Sequence, residues 1–502
     1  MFDAILTKLG LKAPKVEPPL EPFALNTTLF NWSKFDTHTI EDSASGIFVA
    51  GATGSGKSSG PSKAIALAHL NAGFGGIFHA VKPTDTKDAL EWCRQTGRLE
   101  DTIVFGPDQP WRFNFLDYEL QRPGAGAGFT DNIVDTLLAV AELRDRKSPR
   151  GGGGGENAEF FNNAKQEILR ASVDILAIGL NRVSIPDIQE LILSAPHSPE
   201  QARSERFRDG SFLFHCMREA HNKELTPFQS TNLHNTTNYW TKVFPKMSGN
   251  TRSGVTGTVS GIIDPFNRGL LRELFCTTTN FVPEQFRDGL VLAHGMSLME
   301  FGEIGGTSQV VLKHATQHAL LRHSVTAVTR PVFLHIDEFQ ALLTSYDSDF
   351  ARLCRGFKVS FVLLTQNLPT IYSALGGGDK AEQEVDSLLG NLNVKIFCAN
   401  SEANTNKWAS ETLGRTRQYM SNMNSGEGGD DVFGVLTGTG NSKSNVGMTE
   451  TYEYEVQPVE FSKRLRTGGP KNNFEVDAIV FQNARNFKLN GRNWMVVTFD
   501  QK

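Results

Sequence analysis

The stretch Gly51-Ala52-Thr53-Gly54-Ser55-Gly56-Lys57-Ser58 has residue types and spacing suited to one kind of chemistry. Glycines at its first, fourth and sixth positions let backbone N–H groups turn inward around phosphate oxygens. A helix beginning where the loop ends adds a dipole that favours the anion. The expected phosphate-binding residues are Gly51, Thr53, Gly54, Ser55, Gly56, Lys57, Ser58 and Ser59. Lys57 would reach the β- and γ-phosphates, and the Ser58 hydroxyl would ligate Mg²⁺. Gly60-Pro61 falls in the first turns of that helix, where a missing N–H costs little only near the start. The expected cofactors are ATP and Mg²⁺. ATP is preferred to GTP because no guanine-reading Asn-Lys-x-Asp segment occurs; Asn222-Lys223 continues as Glu-Leu.

A second segment, Val332 to Glu338 (VFLHIDE), reads as a buried strand ending in two acids. Such a strand end brings a carboxylate to the Mg²⁺ shell beside a phosphate loop. Asp337 is the expected metal partner. Glu338, pointing elsewhere on the strand end, is the expected base for an attacking water. The run Val359 to Leu364 leads into Thr365-Gln366-Asn367, and the Gln366 amide could sense the γ-phosphate or hold the lytic water. Arg352 and Arg355 precede that run. Either could complete the charge clamp on a neighbouring subunit's nucleotide, and a solvated arginine pair fits the local sequence equally well. His79, His294 and His335 lie within apolar runs and read as core residues. Arg144, Arg146, Lys147, Arg150, Lys246 and Arg252 could face a nucleic-acid path or be solvated loop charge.

These groups need a sheet to hold them. Gly46–Ala50, Ile77–Val81 and Thr102–Phe105 are short apolar runs, and Ser62–Ala72 between the first two is helical in composition. Strand, helix, strand at that spacing is a βαβ unit, and continuously apolar strands imply a sheet covered on both faces. Strand-like runs return at Leu290–His294, Val332–Ile336, Val359–Leu364, Val394–Cys398, Val476–Val480 and Trp494–Val497. Between about 110 and 250 the pattern is helical instead: Asp131–Leu143 with an Asp cap, Phe161 to Ile175 at helical spacing, and a helix start at Ser184-Ile185-Pro186-Asp187. Gly151–Gly155 reads as a mobile connection, and Ser421–Gly447, rich in Gly, Ser and Asn, as a flexible loop.

The expected organisation is an N-terminal amphipathic segment and linker (1–22), a first α/β part (23–110), an all-α insertion (111–250) and a second α/β part (251–502). The chain's 502 residues, 39% hydrophobic and 21% charged, exclude a disordered chain or a coiled coil. Lys+Arg 50 against Asp+Glu 55 excludes a general positive coat, so nucleic-acid contact would be confined to a groove or pore. Five scattered Cys, without CxxC or Cys/His pairs, argue for a reducing cytosol and against zinc or a disulfide framework. No apolar run approaches a membrane span, and no signal peptide is read at the N-terminus.

The ordered segments GATGSGKSSG, FHAVKPTD, FNFLDYE, ENAEFFNNAKQEILRA, NTRSGVTGTVSGIIDPF, LHIDEF, RGFKVSFVLLTQNLPTI, NVKIFCAN and KWASETLG carry a family likeness. Over roughly residues 45–470 the chain resembles the TraG/TraD-like coupling ATPases of type IV secretion and conjugation, in the HerA–FtsK superfamily of RecA-like motors. The resemblance implies a RecA-like P-loop NTPase domain with a mostly parallel sheet and an inserted all-α domain. It also implies a ring, usually a hexamer, with ATP at subunit interfaces and single- or double-stranded DNA passing through the centre. Position by position it implies Lys57 and Ser58 as the Walker A pair and Asp337 and Glu338 as the Walker B pair. Gln366 falls on the glutamine motif, and Arg355, ahead of Arg352, on the arginine finger. The family usually carries N-terminal transmembrane helices, which are not seen in this sequence. Its usual Asp-Pro-Lys is here Val81-Lys82-Pro83-Thr84-Asp85.

The resulting expectation is an ATP-driven DNA translocase, cytoplasmic and peripheral to the membrane through partner proteins. Its partners would be further copies of itself, DNA, and a relaxase or other secretion-system proteins. The rival expectations are a secretion ATPase that handles protein cargo without gripping DNA, and a nucleotide-gated binding module with negligible turnover.

Overall fold

The computed structural model describes residues 21–147, 156–426 and 443–502. Most of the N-terminal segment expected at 1–22, and the Gly151–Gly155 run, lie outside the described residues. The first strands are β1 (Thr28–Asn31), β2 (Thr37–Thr39), β3 (Ile47–Ala50), β4 (Gly75–His79) and β5 (Thr102–Phe105). After a long helical stretch come β6 (Val291–His294), β7 (Val332–Ile336), β8 (Val359–Thr365) and β9 (Val394–Cys398). The chain continues through β10 (Arg415–Gly426), β11 (Lys443–Tyr454), β12 (Glu475–Gln482) and β13 (Trp494–Asp500).

Nine of these strands form one sheet in the order β13-β12-β9-β3-β8-β7-β4-β6-β5. The seven from β9 to β5 are parallel, and β12 and β13 add antiparallel at one edge. Every residue of β3, β7 and β8 is buried, as a parallel strand covered on both faces requires. The pleat divides β3 between two cores. Ile47 and Val49 pack with Ile65, Val362 and Val394, whereas Phe48 and Ala50 join the core that continues into the helices. The edge strand β13 alternates buried and exposed residues instead, because only one of its faces is covered.

The helical stretch does not close at residue 250. Helix Gly249–Ile263 spans that position, and helix Gly269–Phe275 follows before β6. The run is rich in Gly, Ser and Thr, yet Ser248 caps it and Val255, Val259, Ile262 and Ile263 are buried along it. Packing has overridden propensity there. The helix expected to start with an Asp131 cap begins at Thr130, and the Asp131 carboxylate takes Arg170 at 2.6 Å. Ser184 does cap its helix, accepting from the Asp187 N–H at 3.2 Å.

Within the flexible loop expected at 421–447, residues 421–426 and 443–447 are strand instead. β10 and β11 pair antiparallel without a break from Arg415↔Tyr454 to Gly426↔Lys443. A ladder held by backbone hydrogen bonds can carry Asn, Ser and Gly, whose side chains give little strand signal. Residues 427–442 lie outside the described residues.

Candidate functional site

The phosphate loop leaves the C-terminal end of β3 at the centre of the sheet. Its glycines are required by space as well as by torsion. A Cβ on Gly51 would lie 2.5 Å from Ser55 Oγ and 2.7 Å from Cys398 Cβ. Gly56 has φ 84°, and a Cβ there would meet Val476 Cγ2 at 2.4 Å. The following helix opens with a wide turn, Ser58–Ser62, before the regular Lys63–Asn71. Pro61 has no N–H to give, so the Lys57 carbonyl accepts from Ser62, one residue further on, at 3.0 Å. The expected Gly60-Pro61 irregularity is thus absorbed in the first turn.

β8 lies between β3 and β7, so three adjacent strands deliver their C-terminal ends to one place. Ser58 Oγ, from the loop after β3, donates to Asp337 Oδ2 at 2.8 Å. Asp337 and Glu338 follow β7, and Glu338 adopts a left-handed backbone (φ 53°), a strained conformation for a residue with a Cβ. Its N–H donates to Asp337 Oδ1 at 2.9 Å. This tight turn ties the Glu338 backbone to the Asp337 carboxylate. Glu338 Oε1 then accepts from Lys57 Nζ at 3.4 Å, Lys82 Nζ at 3.1 Å and Gln366 Nε2 at 3.1 Å. Glu338 Oε2 accepts from Gln340 Nε2 at 3.0 Å.

The electrostatics follow from that arrangement. Burial pushes the Glu338 carboxyl up, but the Gln340 amide, Lys57, Gln366 and Lys82 together outweigh it and hold the group at about 2. Burial works against the charge of Lys82 too, and Asp337 and Glu338 still keep its pKa above the usual lysine range. Burial lifts Asp85 to about 6, with Asp337 adding to the rise. A cleft of about 460 Å³ opens over these groups, lined by Thr53, Gly54, Gly56, Lys57, Ser58, Ser59, Lys82, Glu338 and Gln366. Larger cavities of about 650 and 950 Å³ lie among the helices and touch none of them.

Arg355 is elsewhere. It precedes β8, at the N-terminal end of that strand, and the seven residues put roughly 23 Å between the strand's two ends. Its guanidinium is exposed and pairs with Glu41 at 2.7 Å; Arg352 pairs with Asp349 at 3.0 Å. Neither reaches its own chain's cleft. His79, His294 and His335 are buried, as expected of core residues. His335 shares a hydrogen bond with Ser62 Oγ at 2.8 Å, tying β7 to the phosphate-loop helix. Of the basic residues near the helical stretch, Arg144 pairs with Glu303 and Arg252 donates to the His197 carbonyl at 2.9 Å.

Lys82 and Gln340 are site residues to which the sequence assigns no role. Lys82 sits in the segment that departs from the family's Asp-Pro-Lys, which is a signal of difference but not of function. Gln340 becomes a partner of Glu338 only through the left-handed turn, which no local pattern announces.

Residues 331–454 match the family model described as the TraM recognition site of TraD and TraG. The whole chain superposes on solved structures of a bacterial conjugative coupling protein, TrwB. The unbound monoclinic form of TrwBdeltaN70 matches with a TM-score of 0.60 at 15% identity, covering 95% of this chain and 89% of that one. TrwB in complex with ADP and Mg²⁺ matches with a TM-score of 0.59 at 14% identity, covering 99% and 92%. Residues 331–454 thus resemble TraD and TraG, and the chain as a whole shares the fold of TrwB. No curated protein matches it by sequence. The matched TraG/TraD segment carries Asp337, Glu338 and Gln366 as well as the β10–β11 hairpin.

Proposed function

We propose that this chain is an ATP-driven DNA translocase that works as an oligomeric ring, most simply a hexamer, and delivers its substrate to a secretion channel. The observation that carries the reading is the convergence of Lys57, Ser58 and Gln366 on the Asp337–Glu338 pair at the ends of three neighbouring parallel strands. The residues fit a magnesium nucleotide. Among the described residues no cluster of three His, Cys, Asp or Glu could hold a metal by itself. A hydroxyl and one carboxylate leave most of the shell to phosphate and water, as Mg²⁺ prefers. Ser55 Oγ is buried in the loop without a hydrogen-bond partner among the described residues.

In this reading the loop from Gly51 to Ser59 wraps the phosphates, and Lys57 leaves Glu338 for the β- and γ-oxygens. Ser58 and Asp337 would hold Mg²⁺, which neutralises charge developing on the phosphates. Glu338 accepts the proton of the attacking water, and Gln366 orients that water. Arg355 serves an adjacent copy's nucleotide, because the sheet separates it from its own. The net charge of -5 confines DNA to a lined channel, gripped by its phosphates with little sequence preference. Among the described residues no helix is long and apolar enough to cross a membrane.

ATP turnover, measured with and without single- and double-stranded DNA at two salt concentrations, tests the reading. Wild type should be stimulated by DNA in a salt-sensitive way. Lys57→Ala should lose turnover, and Glu338→Gln should lose turnover while still binding ATP. A Glu338→Gln protein that hydrolyses normally would overturn the assignment of the base. The second reading, handling of a protein cargo, draws support from the TraM-recognition match at residues 331–454. Turnover indifferent to DNA would favour it.

A further inference from the structure

Lys82 has no part in the scheme above, yet it lies at its centre. Its ammonium is 3.1 Å from Glu338 Oε1 and 3.5 Å from Asp337 Oδ2. Those are the oxygens that Lys57 and Gln366, and Ser58, also reach. The backbone beneath it is fixed: the N–H groups of Val81 and Lys82 both donate to Asp85 Oδ2, at 2.9 and 2.8 Å, and Pro83 opens the next helix. The head is not fixed in the same way, since about a third of the side chain (31%) is exposed to the cleft. A four-carbon stem on a rigid base can swing its charge without moving the fold.

In the empty site Lys57 and Lys82 both pair with the Asp337–Glu338 carboxylates, and Asp85 adds to the field that favours the Lys82 charge. A divalent cation held by Ser58 and Asp337 would meet the Lys82 ammonium on the same carboxylate oxygen. Like charges at that separation in a partly buried site repel strongly. Glu338, with each oxygen engaged by donors, has no free lone pair aimed at a water until some of those donors leave.

Resting on the nucleotide reading, we infer that Lys82 is a stand-in cation. It holds the two carboxylates together in the empty site, competes with the metal for them, and is expelled when the metal nucleotide arrives. Lys82 is therefore a positioning residue that couples metal entry to the release of Glu338.

The test is Mn²⁺ binding to the full-length protein, followed by electron paramagnetic resonance with ADP present. Lys82→Met should bind Mn²⁺ about tenfold tighter than wild type, because the competing charge is gone. Lys82→Arg should stay near wild type. Lys82→Gln gives the same reading if the Met variant does not fold. Unchanged or weaker Mn²⁺ binding in the neutral variants would overturn the inference alone. A wild-type protein with no Lys57-dependent Mn²⁺–ADP binding would overturn the nucleotide reading and this inference with it.

Discussion

Acidification between pH 6.5 and 4.5 should unfold this protein, and buried histidines are the reason. Burial holds His294 at about 3 and His335 at about 4; it also holds His318 at about 4, with Arg322 assisting. Burial depresses His38, His69, His79 and His314 as well. A histidine whose pKa is lowered by folding contributes stability that is fully present above its unfolded value near 6.5. That stability is lost as pH falls toward the native value. Near pH 5, His294, His318 and His335 would each take up close to one proton on unfolding. Asp85, lifted to about 6 in the fold, offsets roughly one of these, because the native state already holds its proton. The net uptake of about two protons corresponds to about 3 kcal/mol of lost stability per pH unit, at 1.36 kcal/mol per proton. The remaining four histidines add in the same direction, and the carboxyls of Asp88, Asp135, Glu167 and Asp174, raised by burial, act against them. Against a total of about 5–15 kcal/mol, that slope is large. Urea midpoints measured every half pH unit from 7.5 to 4.5 should fall steeply below 6.5. Midpoints that stay level over that range would refute the claim that these histidines are neutral core residues.

Three further substitutions are informative, two in the site and one outside it. Gly56→Ala forces a Cβ into Val476 at a positive φ and should cost about 2–4 kcal/mol together with nucleotide affinity. Gly97→Ala has φ 71° but open space, so urea denaturation should show a loss of only about 1 kcal/mol. Gln366→Ala should lower ATP turnover about a hundredfold while leaving ATP affinity nearly unchanged. An affinity loss as large as the rate loss would instead make Gln366 a binding residue.

The parallel sheet was legible because strands such as Val332–Ile336 and Val359–Leu364 are apolar without interruption and bounded by polar turns. The phosphate loop was legible because its glycines and lysine are contiguous, and Gly51 and Gly56 do occupy positions where a side chain would collide. Other features depend on distant parts of the chain. Helix Gly249–Ile263 is held by packing that its Gly/Ser/Thr composition conceals. β10 and β11 are defined by pairing with each other rather than by strand-forming side chains. The small hairpin of β1 and β2 gave no signal. It is anchored at its turn by Asp36, which accepts from the N–H groups of Lys488 and Leu489 at the far end of the chain. In the site itself, the strained turn at Glu338 recruits Lys82 and Gln340, and that turn is set by the fold rather than by neighbouring residues.

The central claim is that Arg355 completes the site of an adjacent copy, and a mixing experiment addresses it most directly. Arg355→Ala keeps an intact Glu338 cleft but offers no guanidinium to its neighbour; Glu338→Gln offers the guanidinium but cannot activate water. Each variant alone should be inactive in ATP turnover. Mixed during assembly, they should regain activity, because cleft and arginine then come from different subunits. An Arg355→Ala protein that is fully active alone, or a mixture as inactive as its components, would contradict the account.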